Sequence, residues 1–356
     1  MLPHLVLAVA LVGVAQNPPD PIQTGWEAIQ QNDPEKAASA FRAALAAHPR
    51  DPNALAGAGV AAHVLGQDDD AITYLKKALE VRPDFVDAAL FLGPIAYSRG
   101  DLDLAIETYE RVVKIAPANA QASHQLQDWK KEAELHDKFT SRLGARFNVM
   151  FEGPAQRAIA ERVSTGLEAA YLRVGSIMRQ YPPEAITAIL YTQEQFRDIT
   201  KSPPWAGGAY DGRIRIPVMG ALKTPAELDR VVTHEYVHAL IQATTPRMPR
   251  WLNEGLATYL EPGSHAWLTA PLRTAPAFIP LENLDDGFLT SNGTIAGLAY
   301  AESFVATRVL VRRLGPNLPV FLQYVGNGTT LDQALLLFDI NPADVEREWQ
   351  QQMRGR

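Results

Sequence analysis

The first third of the chain has the hydrophobic spacing of amphipathic helices. Apolar residues recur at intervals of three and four, which places them on one helix face. The pattern itself repeats every 34 residues, as the prolines at 49, 83 and 117 show. Each unit therefore predicts two helices. Small and apolar residues recur at matching positions, namely Gly25, Gly59 and Gly93; Ala37, Ala71 and Ala105; Phe41, Leu75 and Tyr109; and Ala44, Ala78 and Val112.

Asn32, Gly66 and Gly100 fall between the two predicted helices of each unit, where the chain has to turn. One helix pair cannot bury its apolar face alone, so three pairs are expected to stack. This period and these positions resemble the tetratricopeptide repeat. The resemblance implies an all-α solenoid over residues 18–138, with residues 120–138 as a capping helix and a groove that binds a protein partner or the substrate. An unrelated helical bundle is the alternative, which three units in register disfavour.

The hydrophobic pattern changes near residue 139. Alternating residues predict strands, and residues at helical spacing follow them, so residues 139–356 are predicted to form an α+β domain. The predicted strands are 145–153, 185–192 and 213–218, and the predicted helices are 155–180, 193–200, 225–243 and a segment from about Trp251, with mostly helix over 295–356.

Composition narrows the class of protein. The 356 residues suggest about two domains. The formal net charge of −7 argues against a basic nucleic-acid-binding surface. The absence of cysteine excludes disulfides, thiolate metal ligands and a cysteine nucleophile. Any metal ion must therefore be bound by His, Asp or Glu.

The N-terminus predicts export. Residues 5–15 are apolar and uncharged, and Gly13-Val14-Ala15 has the small-x-small pattern of a cleavage site. Eleven residues of helix reach about 16 Å, short of the ~30 Å hydrocarbon core. We expect a signal peptide at residues 1–15, a periplasmic or secreted protein, and no membrane span in the mature chain. An uncut apolar N-terminus on a cytosolic protein is the alternative.

Two histidines four residues apart, His234 and His238, lie in a predicted helix with Glu235 directly after the first. Residues at i and i+4 share one helix face about 6 Å apart, which suits two ligands of one tetrahedral ion. Glu235 is turned away from that face and can flank the ion without binding it. The motif also occurs by chance, so a helix that merely carries two histidines is the alternative.

A second segment makes the pattern more specific. "PRWLNEGLATYLE" (249–261) follows the two histidines, and together with segments 203–217 and 298–315 it resembles the gluzincin metallopeptidases of the peptidase MA-like group. The resemblance covers 140–356. It implies a zincin-like, thermolysin-like α+β fold, a Zn²⁺ cofactor, and hydrolysis of peptide bonds by a metal-bound water.

The resemblance also implies roles for individual residues. Glu254 would be the third metal ligand beside His234 and His238, and Glu235 the general base. The spacing from His238 to Glu254 is shorter than in many gluzincins, which leaves Glu261 as the alternative ligand. Tyr300, at the start of a predicted helix, is the candidate for stabilising the oxyanion, and His265 is a weaker one. The substrate backbone would pair with an edge strand that contains Arg213, Ile214, Arg215 and Ile216.

Two functions from different classes remain open. The first is a zinc metallopeptidase with helical repeats for partner or substrate binding. It is weakly expected to be an endopeptidase, because no acidic anchor for a substrate amino group is evident. The second is a catalytically inactive, peptidase-like scaffold that acts as a protein–protein adaptor. The presence of all three candidate ligands and the candidate base favours the first.

Overall fold

The structure is a computed structural model that describes residues 20–202, 207–219, 224–275, 277–288 and 292–354. Backbone contacts divide the chain into two compact units, Met1–Phe91 and Leu92–Arg356. The predicted signal peptide at residues 1–15 lies outside the described residues. The predicted domain limits at 18–138 and 139–356 stay predictions.

The first unit consists of paired helices. Aspartates at 20, 33 and 51 each accept a hydrogen bond from the first turn of the helix that follows, and a proline occupies that turn. Both features favour helix initiation. The predicted repeat helices are confirmed. They are α1 Pro21–Gln30, α2 Pro34–Ala47, α3 Pro52–Val64 and α4 Asp68–Val81, and α5 Val86–Ser98 begins in this unit and ends in the next.

Close packing inside this unit depends on its glycines. Phe41 is fully buried, and a Cβ atom on Gly25 would lie only 2.6 Å from the Phe41 ring. Asn32 and Gly66 turn the chain between helices with φ angles of 57° and 75°. That left-handed region favours glycine and tolerates asparagine, which explains which residues recur at this position of the repeat.

The second unit continues with helices α6 Leu102–Ile115 and α7 Ala120–His136. Trp129 of α7 stacks on Tyr97 at 5.2 Å between ring centroids and packs against Tyr109 at 4.6 Å. The predicted capping helix is thus present. Its other face is not left to solvent, because Leu135 packs beside the buried Tyr191 of the sheet that follows.

A five-stranded mixed sheet forms the centre of the second unit in the order β1-β2-β3-β5-β4. β2, β3 and β5 are parallel, whereas β1 runs antiparallel to β2 and β4 antiparallel to β5. The sequence predicted the three parallel strands and missed the two outer ones. The strands are β1 Phe139–Arg142, β2 Phe147–Glu152, β3 Ile186–Thr192, β4 Ala209–Tyr210 and β5 Ile214–Met219.

The prediction that Arg213–Ile216 form the edge strand is wrong. β5 pairs with β3 on one side and, at Ile214 and Arg215, with β4 on the other. The chain reverses at Gly212, whose φ of 97° suits a tight turn, so the preceding residues fold back as an extra strand. Within the described residues, β4 is therefore the outermost strand on this side of the sheet.

Helices cover both faces of the sheet. Buried residues of α8 and α10 share one core with Phe147, Ile214 and Ile216 on the first face. Phe196 of α9 and Leu135 of α7 cover the second face. The remaining helices of the described chain are α8 Arg157–Met178, α9 Gln193–Thr200, α10 Pro225–Thr244, α11 Arg250–Leu260, α12 Thr269–Thr274, α13 Gly293–Leu314, α14 Leu318–Gly326, α15 Leu331–Leu336 and α16 Pro342–Arg354.

Segment Gly293–Gly326, which covers α13 and α14, is long and apolar enough to cross a membrane by length and composition alone. Its most apolar window is 67% buried inside the protein. α13 packs against α11, α12 and α16, so its apolar residues belong to the core of the second unit.

A buried cluster of charged and hydroxyl groups surrounds Arg215. Its guanidinium lies 2.8 Å from both Glu132 of α7 and Asp211, and it donates hydrogen bonds to the hydroxyls of Tyr191 and Tyr97. Arg215 is fully buried and Glu132 is 2% exposed. Burial raises the pKa of the Glu132 carboxyl, but the charges of Arg215 and Arg213 lower it by more, so this pKa lies below its usual value. The ion pair holds the β4–β5 hairpin against α7 and α5.

We expect Arg215→Met to destabilise the protein by about 3–5 kcal/mol, because it leaves the buried Glu132 carboxylate uncompensated. Urea unfolding followed by circular dichroism measures the change. The matched control is Lys130→Met, which breaks the exposed Lys130–Glu110 pair and should change the free energy of unfolding by at most about 1 kcal/mol. Equal small effects of the two substitutions would show that the cluster does not support the fold.

Candidate metal centre

Two helices supply the candidate metal ligands. α10 begins with a capping box between Thr224 and Glu227 and a proline in its first turn, and it continues past His234 and His238. α11 packs against α10 and carries Glu254 in the middle of its length. Buried apolar residues hold the two helices together, so the three side chains project from rigid elements. These apolar residues are Val231, Val237, Ile241, Leu252 and Leu256.

The three predicted ligands converge. Oε2 of Glu254 lies 3.4 Å from Nε2 of His234 and 3.5 Å from Nε2 of His238. One donor atom from each residue lies within 4.8 Å of the others. Ligand atoms placed 2.0–2.1 Å from a tetrahedral ion are themselves about 3.3 Å apart. The spacing of the donor atoms therefore fits a single ion such as Zn²⁺.

Each histidine is oriented through its other nitrogen. Nδ1 of His234 lies 2.8 Å from Glu261, and Nδ1 of His238 lies 2.8 Å from Oδ1 of Asn253. Both partners are oxygen acceptors, so each Nδ1 donates a proton and each Nε2 faces Glu254. Partners of this kind fix the tautomer and the ring orientation of metal-binding histidines. Glu261, the alternative ligand, thus lies behind His234, and Glu254 occupies the third position.

The charges of the cluster fit a cation. Burial lowers the pKa of His234, but the nearby carboxylates of Glu254 and Glu261 outweigh this effect and raise that pKa to about 10. Burial raises the pKa of Glu254, but the two imidazoles hold it well below its usual range. Oε2 of Glu254 is buried, and at 3.4 and 3.5 Å its nearest imidazole nitrogens are too far for good hydrogen bonds. A metal ion between the three groups would satisfy this oxygen.

Glu235 and Tyr300 lie beside the cluster. Glu235 is 5% exposed, and burial raises the pKa of its carboxyl. Tyr300 lies within α13, two turns after the start of that helix, and not at its start as predicted. Burial and then the charge of Glu254 raise the pKa of its phenol, which also hydrogen-bonds to Glu254. Its hydroxyl therefore stays protonated and can donate a hydrogen bond next to the candidate ion.

A cleft of about 720 Å³ opens onto these groups. Two glycine-containing segments contribute to its lining: Gly207 and Gly208 precede β4, and Gly293 and Gly297 belong to α13. A Cβ atom on Gly208 would lie 2.5 Å from Oε1 of Glu235, so this backbone runs directly beside the candidate base. The lining residues are Gly207, Gly208, Glu227, Arg230, Val231, His234, Glu235, Glu261, Trp267, Gly293, Gly297 and Tyr300.

Some predicted site residues lie elsewhere. Arg213 and Arg215 belong to the buried cluster around Glu132, and Ile214 and Ile216 are core residues. His265 contacts the backbone carbonyl of Thr258 at 2.7 Å and stacks on Phe304, away from the described cleft lining.

Sequence patterns did not predict that Asn253, Arg230 and Gly208 belong to the site. Asn253 lies in the segment 249–261 that carries the resemblance, and its contact with His238 joins residues 15 positions apart. Such contacts depend on how α10 and α11 pack, which no local pattern specifies.

Known proteins resemble the repeat region. The sequence profile of the tetratricopeptide repeat matches residues 22–80 and 65–120. The small glutamine-rich tetratricopeptide repeat-containing protein 2 of Mycosarcoma maydis is 30% identical over 95 residues, which are 27% of this chain and 27% of that protein. The chain thus spans only about a quarter of that relative's length.

Solved structures also resemble part of the chain. The first tetratricopeptide domain of Spaghetti (RPAP3) bound to the HSP90 peptide SRMEEVD is 19% identical with a TM-score of 0.31, covering 32% of this chain and 93% of that one. The crystal structure of MamA is 23% identical with a TM-score of 0.31, covering 33% of this chain and 68% of that one.

The region that carries the candidate metal centre matches a peptidase family. The profile of the Peptidase MA superfamily matches residues 175–355, just over half of the 356-residue chain. The match contains α10, α11 and α13, which carry every candidate ligand and both flanking groups. With tetratricopeptide repeats ahead of this region, in the predicted order, the chain belongs to the Peptidase MA superfamily.

Proposed function

We propose that the protein is a zinc-dependent metallopeptidase of the gluzincin type, exported after removal of residues 1–15. The observation that carries this proposal is the convergence of two Nε2 atoms and one buried carboxylate oxygen at 3.4 and 3.5 Å. Membership in the Peptidase MA superfamily supports it. The tetratricopeptide repeats would bind a protein partner or the substrate in their groove.

The donor set suits zinc. His234, His238 and Glu254 offer two nitrogens and one oxygen, the ligand combination of many catalytic zinc sites, and three protein ligands leave a fourth position open. When bound, Zn²⁺ supplies a Lewis acid and lowers the pKa of a water molecule at the site. The buried oxygen of Glu254 supplies the negative charge that a cation needs there.

Glu235 would transfer the proton during hydrolysis. Its carboxyl is buried beside the cluster, and burial raises its pKa towards the range in which a carboxylate acts as a general base. It would take a proton from the attacking water and pass it to the leaving amine. The Tyr300 hydroxyl would donate a hydrogen bond to the oxyanion that develops on the peptide carbonyl. Its raised pKa keeps that proton available.

The cleft suits an extended polypeptide. β4 is the outermost strand of the described sheet on this side, and Gly207 and Gly208 continue its backbone along the candidate base. A substrate strand could pair with this edge through main-chain hydrogen bonds. A Cβ atom on Gly297, another residue of the lining, would meet only Pro271 at 3.8 Å, so the cleft has room beside α13. These features favour an endopeptidase.

An inactive scaffold is the second candidate. Its repeats would bind a partner in the same way, but it would not need the oriented histidines. Glu261 and Asn253 hold both imidazoles with Nε2 towards Glu254, and Glu235 is retained beside them. This preserved geometry favours the enzyme.

We expect Glu235→Gln to retain zinc and to lose peptidase activity, because glutamine cannot accept the proton of the attacking water. The rate should fall by roughly 10²–10⁴-fold. Metal analysis of the purified variant and turnover of a peptide library or casein measure both properties. Turnover near the wild-type rate would refute the role of Glu235, and absence of turnover in the wild-type protein would favour the scaffold.

We expect Glu261→Gln to weaken zinc binding by about 10–100-fold, because the amide orients His234 less strongly and carries no charge. Competition with a chelator of known zinc affinity measures the change. Glu346→Gln on α16 is the control, since it removes a carboxylate far along the chain from the cluster. Unchanged zinc affinity in the Glu261 variant would mean that this contact does not support the metal site.

We expect Gly208→Ala to reduce kcat/KM by at least about tenfold, since a displacement of around 1 Å can slow catalysis by about 10²-fold. The added methyl group would overlap Glu235 and push the carboxylate from its position. Gly297→Ala is the matched control, because its methyl group has room and the rate should stay close to wild type. Zinc content and thermal unfolding should be unchanged in both variants. Equal rates for the two would contradict the expected overlap.

A further inference from the structure

Arg230 is a charged residue of the cleft that the proposed mechanism does not use. It lies on α10 one turn before His234 and lines the same cleft. Its Nη1 atom lies 3.2 and 3.4 Å from the two oxygens of Glu261. The Arg230 side chain is 35% exposed, whereas that of Glu261 is 2% exposed. The guanidinium is therefore anchored on its buried side and open on the side of the cleft.

The anchor leaves much of the guanidinium available. Within the described part of the chain, Arg230 contacts Glu261 through Nη1, and arginine has five N–H donors in a planar fork. Glu261 is also shared, because it accepts a hydrogen bond from His234. The Glu261 carboxylate therefore accepts hydrogen bonds from both His234 and Arg230. It cannot pair with all five N–H groups of Arg230.

Apart from Glu235, the proposed general base, the acids in the described cleft lining are Glu227 and Glu261, and both have partners. Glu227 accepts a hydrogen bond from the backbone N–H of Thr224 at the start of α10, and Glu261 is held by His234 and Arg230. The glycines of the cleft lining have no charged side chain. A substrate cation would thus find each of these carboxylates engaged, whereas a substrate carboxylate would find open donors on Arg230.

We propose that Arg230 binds a carboxylate of the substrate within about two residues of the scissile bond and so determines specificity. Helix residues at i and i+4 are about 5–6 Å apart, and an extended peptide advances about 3.3–3.6 Å per residue. A planar guanidinium binds carboxylates through two parallel hydrogen bonds. In an endopeptidase this carboxylate is an Asp or Glu side chain; if it is instead the C-terminus of the substrate, the enzyme cleaves near the end of the chain. This inference rests on the proposed peptidase function.

Binding to the Glu235→Gln variant tests the proposal without cleavage. Zinc-loaded protein is titrated with fluorescent peptides that differ only in a C-terminal acid or amide, and with a second set that differs only in Asp or Asn at each position. One acidic peptide should bind more tightly than its neutral partner. Loss of a charge-assisted hydrogen bond corresponds to about 10–100-fold in affinity. The set in which this difference appears identifies the source of the carboxylate.

The additional substitution Arg230→Gln should abolish the difference between acidic and neutral peptides, and Arg230→Lys should retain part of it. Arg250→Gln is the matched control. Arg250 acts on the pKa of Tyr300 but lies outside the described cleft lining, so its loss should leave the preference unchanged. Zinc content is measured in every variant.

Two outcomes would overturn the proposal in distinguishable ways. The inference fails if Arg230→Gln weakens the binding of acidic and neutral peptides by the same factor. It also fails if the protein with Arg230 intact binds acidic and neutral peptides equally well. Arg230 then only supports Glu261, and the proposed peptidase function is unaffected. If the wild-type protein neither binds nor cleaves any peptide, the proposed function fails and the inference with it.

Discussion

The arrangement of the candidate site depends on one carboxylate, that of Glu254, whose Oε2 atom is buried. Glu254 lies inside the second unit, and an isolated charge at such a position would be strongly unfavourable. Two imidazoles face it at 3.4 and 3.5 Å, and both are fixed from behind by oxygen acceptors. The protein thus places a negative charge beside two imidazole nitrogens, an arrangement that fits a divalent cation.

Rigid helices keep that arrangement in place. The i, i+4 spacing places His234 and His238 on one face of α10. The packing of α11 on α10 then determines how far Glu254 lies from both imidazoles. Asn253 and Glu254 are neighbours in one helix turn, yet Asn253 contacts the candidate ligand His238 and Glu254 is itself a candidate ligand. The short interval between His238 and Glu254 is therefore compatible with a complete ligand set, because helix packing rather than chain spacing fixes the distance.

Local patterns predicted much of this protein, and contacts between distant segments account for the rest. The 34-residue period, the left-handed turn positions and the histidine spacing are properties of neighbouring residues, so they could be recognised in the sequence. β4 has only two residues and follows glycines, too short for any alternation to be visible. Arg215 has partners on α5, α7 and β3, far from it in the sequence. The alternation of residues along β5 therefore predicts a strand but not the buried ion pair.

The Arg215 cluster joins the sequence regions before and after residue 139. The hydrophobic pattern changes at residue 139, but Glu132 of α7 lies before that point and neutralises Arg215 of β5 after it. α7 and the sheet belong to one compact unit, and Tyr97 at the end of α5 donates to the same carboxylate. The β4–β5 hairpin, which follows the cleft-lining Gly207 and Gly208, is thus held by the last helices of the repeat region. A change in pattern along the chain marks where the secondary structure changes. The limits of a cooperative unit are set instead by where buried charges find their partners.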